Sequence, residues 1–383
     1  MSTRGLHQWP AQQRVHHGAP LAEALPAEVA GSERVVLVTT RSLKDSPLLA
    51  AARAAIGAAL AGEFSAMRAH SPLEDVLALT TLLRETKADL IVAVGGGSVV
   101  DGSKVACLGA WRGFTSPEQI HGAVAARDAS PGAWPEEVPR PRIVAVPTTL
   151  SAAEFAPHAG CTDLAAKRKL RLLHPYMVPR AVILDPAATL HTPAELFLSS
   201  GIRAVDHAAE RWCSRAPQPF SDAVSLQAMT MLAAALPAVH RDPDDLTARA
   251  RCQQAAWLSV MGGWAGVPVG ASHGIGYILG GARGVPHGVT SCLMLPAVMQ
   301  WNEGVNGARQ ADVARIFGGA SGHAALRAFI GGLGLPVRLG EQGITEADIP
   351  GLAARWQGDA PIATNPRPVK GPAEIEEILR LAL

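Results

Sequence analysis

The sequence predicts an N-terminal α/β domain built on a parallel sheet, followed by an all-α helical domain. Short apolar runs recur through the first half, at 35–39, 90–94, 142–146 and 181–185. Runs of this length separated by helical stretches are typical of buried parallel strands with crossover helices. After Pro186 such runs stop, and long Ala- and Leu-rich stretches follow. We therefore place the α/β domain at 1–187 and the helical domain at 188–383.

Individual segments of the first half can be interpreted in order. The 35–39 run leads into an Ala-rich stretch that we expect to be helical through Leu60. The 90–94 run leads directly into glycines, and the 142–146 run leads into a proline and two threonines. Gly113–Pro141 is rich in proline and small polar residues, which indicates a surface excursion that we expect to be partly mobile.

The second half shows helical periodicity without strand signals. Phe220–Val239 and Leu246–Met261 carry this periodicity most clearly, and Pro and Gly mark the breaks between helical stretches. The sequence shows no internal repeat and no coiled-coil heptad pattern. The sequence therefore predicts an all-helical domain in the second half.

Composition narrows the class of protein. The chain of 383 residues has 34 Lys and Arg against 33 Asp and Glu, a net charge of +1. A balanced charge gives no basic field for nucleic acid or for an anionic membrane surface. Hydrophobic residues make up 48% and charged residues 17%, which favours a well-buried enzyme over a disordered chain.

Cysteine usage and the N-terminus bear on location. The five cysteines are scattered and form no Cys-x-x-Cys pair, and free thiols suit a reducing compartment. The first residues lack an apolar core of signal-peptide length, and the apolar run Ala255–Gly270 is broken by glycines. We expect a cytoplasmic protein with no membrane partner.

Two loops after predicted strands indicate a nucleotide site. Gly95-Gly96-Gly97-Ser98 lies between a strand and a helix, where missing Cβ atoms let a pyrophosphate approach backbone N–H groups. The turn alone is weak evidence. Combined with Asp101 and Lys104, and with Thr148 and Thr149 after the next strand, it predicts a Rossmann-like sheet with ligands at its carboxyl edge.

Three histidines and an arginine mark a second site. His207 lies in a helical run, and His273 and His287 follow fourteen residues apart within Gly- and Pro-rich segments. An acid one turn before His207 would share its helix face and complete a metal cage. Position 203 carries Arg instead.

Taken together, these motifs resemble the iron-containing (group III) alcohol dehydrogenases, from the strand at Val35 to the C-terminus. That family's metal pattern is Asp-x3-His followed by two histidines fourteen apart, a spacing that 273 and 287 keep. The ungapped segment Pro147–Pro157 looks most like the maleylacetate reductases, which work without metal. Those enzymes usually have paired histidines where this chain has Ser272-His273.

The resemblance implies which residues bind NAD or NADP. It assigns the pyrophosphate and the nicotinamide half to residues in the two loops described above. These are Gly96, Gly97 and Ser98 for the pyrophosphate, and Asp101, Thr148 and Thr149 for the nicotinamide half. Lys169 matches a family lysine near the ribose, although an exposed charge run is the alternative interpretation of this segment.

Position 40 bears on the choice between the two cofactors. Members of the family that select NAD place an acid just after the first strand, where it repels a 2′-phosphate. This chain has Thr40 there, followed by Arg41. Loss of the acid and gain of a cation favour NADPH.

The resemblance implies a reductase that moves hydride from NAD(P)H to a small aldehyde or keto acid, such as a maleylacetate-like compound. We expect Arg203 to hold the substrate oxygen, one of His207, His273 and His287 to deliver the proton, and Tyr277 to donate a proton or pack under the nicotinamide. A guanidinium ~4 Å from a dication repels it by ~8 kcal/mol at an effective dielectric of ~20.

We therefore expect no metal; if one binds, the three histidines are its ligands. Asp206 should face elsewhere, because it lies about 100° around the helix from His207. Glu210, three residues after His207, is expected to orient an imidazole rather than donate a proton.

Two alternatives stay open. One is a non-redox lyase or cyclase related to 3-dehydroquinate synthase, which would need a metal and would leave the cofactor unchanged overall. The other is a catalytically inactive nucleotide-binding homologue. We also expect a homodimer, by analogy with the family and because two-fold dimers are common.

Overall fold

The computed structural model describes residues 9, 11–126, 137–166, 168–358 and 361–383. These residues divide into an α/β unit, 9–192, and a helical unit, 193–383. The division falls between Thr192 and Pro193, whereas the sequence analysis placed it at 187/188. The segment between these positions stays with the α/β unit because the Thr192 hydroxyl donates to the Thr148 carbonyl oxygen at 2.8 Å.

The α/β unit is built on a parallel sheet, which confirms the predicted fold class. Every residue of its two central strands is buried, as expected for apolar runs covered on both faces. Among the described residues its strands are β1 (Arg14–His17), β2 (Val35–Val38), β3 (Leu60–Phe64), β4 (Leu90–Gly95), β5 (Arg142–Pro147) and β8 (Ala181–Leu184). Their spatial order is β1-β8-β5-β4-β2-β3, and every recorded pairing is parallel.

Helices and one hairpin complete this unit. The described helices are α1 (Leu21–Val29), α2 (Pro47–Ile56), α3 (Leu73–Glu85), α4 (Gly97–Arg112) and α5 (Pro117–Ala126). The strands β6 (His158–Asp163) and β7 (Arg168–Leu173) pair with each other in an antiparallel hairpin.

The predicted helix through Leu60 is too long. Helix α2 ends at Ile56, because Gly57 takes φ 60° in the left-handed region, and β3 begins at Leu60. Strands β1 and β3 form the two edges of the sheet. The residues of β3 alternate between partly buried and exposed, and the sequence of β1 is polar. Edge strands lack the continuous apolar run that identified the central strands.

The excursion Gly113–Pro141 contains more structure than predicted. Helix α5 begins at Pro117, and Glu118 lies in its first turn. Residues 127–136 of this segment lie outside the described residues. The expectation that the segment is partly mobile is therefore not tested.

The helical unit contains no strand among its described residues, as the sequence predicted. Its helices are α6 (Ala194–Trp212), α7 (Pro219–Arg241), α8 (Leu246–Met261), α9 (Ala271–Arg283), α10 (His287–Phe317), α11 (Gly322–Gly332), α12 (Ile349–Ala353) and α13 (Pro372–Leu381). Helix α8 begins where predicted because the Asp245 carboxylate accepts the Ala248 N–H at 2.9 Å.

Helix α7 is long and apolar enough to cross a membrane, the one such helix among the described residues. Core helices of water-soluble proteins have the same length and composition. Helix α7 packs along α6 and α8, and its Leu232, Leu236 and Val239 side chains are buried there. One face of this apolar helix is therefore buried in the helical core.

The core of the helical unit fixes helix α9, which carries two of the predicted site residues. Ile275 and Leu279 of α9 are fully buried against Leu293 of α10 and Ile378 of α13. Burying each such side chain contributes about 1.5–3 kcal/mol. This packing determines which face of α9 is turned towards α6.

A buried pair of charges lies in the α/β unit. The ammonium of Lys104 donates to the carbonyl oxygens of Ala153, Ala156 and His158, the latter two at 2.9 and 3.1 Å. Glu154 is buried beside it, and its Oε2 atom has no hydrogen-bond partner among the described residues. Burial, which disfavours the charged form, raises the pKa of Glu154 to about 7.

The raised pKa of Glu154 predicts a pH-dependent stability. A carboxyl whose folded-state pKa lies above its ordinary value stabilises the fold at low pH, and this contribution is lost as pH rises towards 7. Glu154→Gln is neutral throughout. The free energy of unfolding of this variant, relative to wild type, should increase by about 2 kcal/mol between pH 5 and pH 8 in urea titrations. Glu85→Gln, at an exposed position, is the matched control. A constant difference for Glu154→Gln would contradict the prediction.

Candidate active site

Helix α6 carries a stripe of charges into the helical unit. Arg203, Asp206 and Glu210 are spaced by three and four residues, which puts them on one helix face, and all three are buried. Buried charges cost free energy unless each one is paired or hydrogen-bonded. The neighbouring helices supply these partners.

Asp206 does not face away from the histidines, so that expectation is wrong. Its Oδ2 atom lies 3.4 Å from His273 Nδ1 and 3.6 Å from Arg203 Nη1. The expectation considered only the angle to His207. Asp206 shares a face with Arg203 and Glu210 instead, and that face is the one covered by α9 and α10.

Two serine hydroxyls complete the surroundings of Asp206. The hydroxyl of Ser272 donates to Asp206 Oδ2 at 2.9 Å, and that of Ser291 donates at 2.6 Å. Ser291 Oγ in turn accepts a hydrogen bond from Arg203 Nη1 at 3.0 Å. Arg203 is therefore held inside the helical unit, and Asp206 balances its charge.

Glu210 joins helix α6 to the first turn of α9. Its carboxylate accepts the N–H groups of Gly270 and Ser272, each at 2.8 Å, and bonds to His273 Nδ1 at 2.7 Å. A carboxylate at a helix N-terminus satisfies N–H groups that have no partner within the helix and complements the helix dipole. The same contact fixes the orientation of the His273 ring.

Ring contacts bring the predicted catalytic residues together. The His207 and His273 ring centroids are 4.8 Å apart. The Tyr277 and His287 rings meet edge to face at 5.9 Å, and the Arg203 guanidinium carbon lies 5.8 Å from the Tyr277 centroid. All five residues that the sequence proposed as catalytic therefore belong to one cluster.

Close helix packing places His287 in this cluster. It is the first residue of α10, and a Cβ atom on the next residue, Gly288, would lie 2.7 Å from the Ser199 carbonyl group of α6. Only glycine allows the two helices to approach so closely. Further along, a Cβ on Gly280 would meet the His287 ring at 3.3 Å, so α9 packs against that ring as well.

The charges of this cluster shift each other's titration. Burial and Arg203 both lower the pKa of His273, but Asp206 and Glu210 outweigh them and raise it above its ordinary value. Burial alone would raise the pKa of Asp206, but His273 and Arg203 lower it. Asp206 and His273 therefore stabilise each other's charged forms.

The family's metal pattern can be tested against these residues. Asp206, Glu210 and His273 each offer an atom within 4.8 Å of the others. However, Glu210 Oε2 and His273 Nδ1 are 2.7 Å apart, whereas two ligands of one tetrahedral ion lie about 3.3 Å apart. Both Glu210 oxygens also accept N–H groups from α9.

A metal on the other nitrogen of His273 meets a different obstacle. Nε2 lies across the ring from Nδ1, so Asp206 and Glu210 are on the wrong side of the imidazole to share an ion with it. The position that would supply the acid is Arg203, a permanent cation. The residues present do not fit the four-ligand pattern.

In the α/β unit, the glycine turn lies against the loop that follows β5. Gly95 takes φ 154°, a conformation that disfavours any side chain. A Cβ on Gly96 would lie 3.0 Å from the Thr149 methyl group, and one on Gly97 would lie 2.8 Å from Ser151 Oγ. The Thr148 N–H donates to the Gly95 carbonyl oxygen at 3.0 Å. The glycines therefore make room for the threonine loop, and the turn is narrow enough to expose backbone N–H groups to a phosphate.

The strand order identifies where a ligand would bind. The connection from β2 runs outward to β3 at one edge, and the chain then crosses back to β4 and continues to β5 on the other side. The order therefore reverses between β2 and β4. In open α/β sheets the ligand crevice lies at the carboxyl ends of the strands at such a point. Ser98, at the start of α4, follows β4 at this position, and Thr40 follows β2.

The remaining cofactor candidates lie on neighbouring segments. Asp101 Oδ2 accepts the Gly160 N–H at 3.0 Å, and the alkyl chain of Lys169 covers Gly160 on the hairpin. Ser98 Oγ accepts the backbone N–H of His70 at 2.9 Å. The sequence analysis gave no role to His70, and its positive φ of 64° is not visible in a sequence.

A cavity of about 500 Å³ lies beside the segments that follow β2 and β3. Arg41, Lys44 and Ser65 line it together with Glu63. Glu63 is neutralised by Arg53, whose guanidinium donates to it at 2.8 and 3.0 Å. Its lining therefore carries an excess of positive charge next to Thr40.

Known proteins share this architecture across the chain. Residues 12–186 match the family described as iron-containing alcohol dehydrogenase, and residues 197–383 match its C-terminal region. The dehydrogenase FUM7 of Gibberella moniliformis is 34% identical, with 92% of both chains covered. Maleylacetate reductase 2 of Cupriavidus pinatubonensis is 31% identical, with 84% of this chain and 82% of the relative covered. The crystal structure of maleylacetate reductase from Agrobacterium tumefaciens has a TM-score of 0.80 at 25% identity, and the match covers 100% of this chain and 99% of that one.

These matches define the class as an oxidoreductase that acts on alcohol or carbonyl groups with a nicotinamide cofactor. The chain belongs to the iron-containing alcohol dehydrogenase family, in its maleylacetate reductase-like branch.

The approach of α10 to α6 can be tested through glycine. Gly288→Ala should lower the free energy of unfolding by about 1–3 kcal/mol, because the new Cβ atom overlaps the Ser199 carbonyl group. Gly281→Ala, at an exposed position of α9 with no atom within 4 Å, is the matched control. It should raise stability by about 0.5–1 kcal/mol, since alanine favours helix. Denaturant titration measures both, and equal effects would contradict this account of the packing.

Proposed function

We propose that this protein is an NAD(P)H-dependent reductase that converts a small aldehyde or keto acid to the alcohol without a metal ion. The observation that carries the proposal is the buried guanidinium of Arg203. Ser291 and Asp206 hold it in the helix position where the family's metal pattern has an acid. A charge kept inside the protein by two partners is suited to bind a developing alkoxide.

The residues of the helical unit would perform the acid-base part of the reaction. A bound NAD(P)H would provide the hydride for the carbonyl carbon, which leaves negative charge on the carbonyl oxygen. Arg203 stabilises the negative charge on that oxygen, and an imidazole of the histidine cluster supplies the proton. Tyr277, which packs beside Arg203 and His287, is the second candidate for this proton.

The residues of the α/β unit would hold the cofactor. The glycine turn of Gly96 and Gly97, together with Ser98, would bind the pyrophosphate at the N-terminus of α4. The nicotinamide half would contact Asp101 and the threonine loop that packs against this turn, that is, Thr148 and Thr149. Lys169, on the hairpin beside Asp101, would reach a ribose.

NADPH is proposed as the preferred cofactor. The position after β2 carries Thr40 rather than an acid, so nothing there repels a 2′-phosphate. Arg41 and Lys44 line the adjacent cavity, while Arg53 compensates the charge of Glu63. A lining with more cations than acids is suited to bind a phosphate dianion.

An anionic substrate is proposed because of the hydrogen-bonding geometry of the Arg203 guanidinium. Arginine binds carboxylates through two parallel N–H groups. The Nη1 atom of Arg203 already donates to Ser291, and the guanidinium has further N–H groups that could bind a carboxylate. The named relatives include maleylacetate reductases, whose substrate carries carboxylates. We therefore propose a small keto acid of the maleylacetate type.

A substrate screen tests the proposal. NADPH and NADH oxidation is followed with aldehydes, 2-oxo acids and maleylacetate, with and without added Fe²⁺ or Zn²⁺. Keto acids should be reduced with NADPH preferred, and metal should not increase the rate. Arg203→Gln should lower kcat/KM for keto acids roughly 100-fold, which is about 3 kcal/mol. Arg215→Gln, on an exposed arginine, is the control.

Three results would contradict parts of the proposal. No oxidation of either cofactor with any substrate would contradict the reductase function and favour a lyase or an inactive homologue. A clear preference for NADH would contradict the assignment of the cavity beside Thr40. Equal turnover in wild type and Arg203→Gln, with circular dichroism confirming that the variant folds, would contradict the role of Arg203.

A further inference from the structure

Three histidines share the cluster around Arg203, and the structure distinguishes one of them. His273 is 2% exposed, while His207 and His287 are only partly buried. His273 is also the one whose Nδ1 atom bonds to a buried carboxylate, Glu210, at 2.7 Å. Its Nε2 atom has no hydrogen-bond partner among the described residues.

The Glu210 contact determines which nitrogen of His273 carries a proton. A carboxylate only accepts hydrogen bonds, so Nδ1 must be the donor. Nε2 is then the one ring atom of His273 that can exchange a proton with another molecule. Its buried environment contains no competing partner among the described residues.

Glu210 holds this arrangement rigidly because its carboxylate is fully engaged. Oε2 accepts the Gly270 N–H as well as the His273 contact, and Oε1 accepts the Ser272 N–H. Asn365 Oδ1 accepts the N–H that lies between these two, from Ala271, at 3.1 Å. The first turn of α9 is therefore fixed by side chains from two other segments.

We propose that His273 is the catalytic proton donor of the reductase and that Glu210 is its positioning residue. This inference rests on the proposed function. During reduction, the proton moves from His273 Nε2 to the substrate oxygen as the hydride arrives at carbon, while Nδ1–H stays bonded to Glu210. The imidazole that remains regains its Nε2 proton from solvent. Glu210 thereby sets both the direction of the ring and its tautomer.

The simpler role for Glu210 is that of a helix cap, and Asn365 provides the matched control. Both side chains accept N–H groups of the same turn, but only Glu210 bonds to the imidazole of His273. Asn365→Ala removes a cap and leaves the His273 contact in place. Glu210→Gln removes the negative charge and replaces one acceptor oxygen with an NH₂ donor. In one orientation of the amide this NH₂ group faces the Ser272 N–H, and in the other it faces the Gly270 N–H and His273 Nδ1.

The experiment combines ¹⁵N NMR of the histidine rings with steady-state kinetics. The His273 signal is assigned by its loss in His273→Gln, a variant that should also lose most of its turnover. Above the pKa of His273, where Nε2 has lost its proton, the wild-type ring should be in the Nδ1–H form. In Glu210→Gln the population of that form should fall, and kcat should drop on the order of 100-fold while the Kd of NADPH stays the same. Asn365→Ala should lower Tm but keep the tautomer and most of kcat.

A conservative variant keeps the test decisive if Glu210→Gln does not fold. Glu210→Asp retains the charge on a shorter side chain, so it should keep part of the Nδ1–H population and show an intermediate kcat. The proposal is overturned if tautomer and kcat are unchanged in the Glu210 variants. It is equally overturned if Asn365→Ala loses as much kcat as Glu210→Gln, or if His273→Gln keeps its turnover. The tautomer can be measured without turnover. A wild-type protein that reduces no carbonyl would therefore contradict the proposed function, whereas the tautomer result tests the contact between Glu210 and His273.

Discussion

The carboxylate of Glu210 is the contact on which the helical site depends. It belongs to α6, yet it accepts two backbone N–H groups and one ring nitrogen from the start of α9. A buried carboxylate without such partners would cost several kcal/mol. With them it fixes the register of the two helices, so that Asp206, one turn earlier, meets Ser272 and His273. The orientation of the cluster follows from this one pairing.

The cluster also shows how a chain of this family can contain an arginine at a metal-ligand position. Arg203 would be costly to bury alone. The Asp206 carboxylate compensates its charge, and the Ser291 hydroxyl accepts a hydrogen bond from its Nη1 atom. Asp206 contacts both Arg203 and the His273 ring, and Asp206 and Glu210 together raise the pKa of that ring. Arg203 thus places a permanent positive charge at this position, and the histidines keep the spacing of the family.

The sequence contained most of the fold and only part of the site. Continuous apolar runs predicted the central strands β4 and β5, and periodicity predicted α8, because burial on all sides leaves a strong local pattern. Edge strand β1 has no such pattern and was missed. The grouping of the histidines followed from motif spacing. The position of Asp206 did not, because it depends on which helices cover α6.

Elemental analysis of wild type and Arg203→Asp, run in parallel, tests whether Arg203 replaces the metal. Both proteins are purified with added Fe²⁺ and Zn²⁺, dialysed and analysed, and then assayed with and without EDTA. Wild type should hold far less than a stoichiometric amount of either metal and should keep its activity in the chelator. Arg203→Asp, which restores an acid one turn before His207, should gain metal and lose metal-free turnover. A wild-type protein with one ion per chain, whose activity EDTA abolishes, would contradict the account.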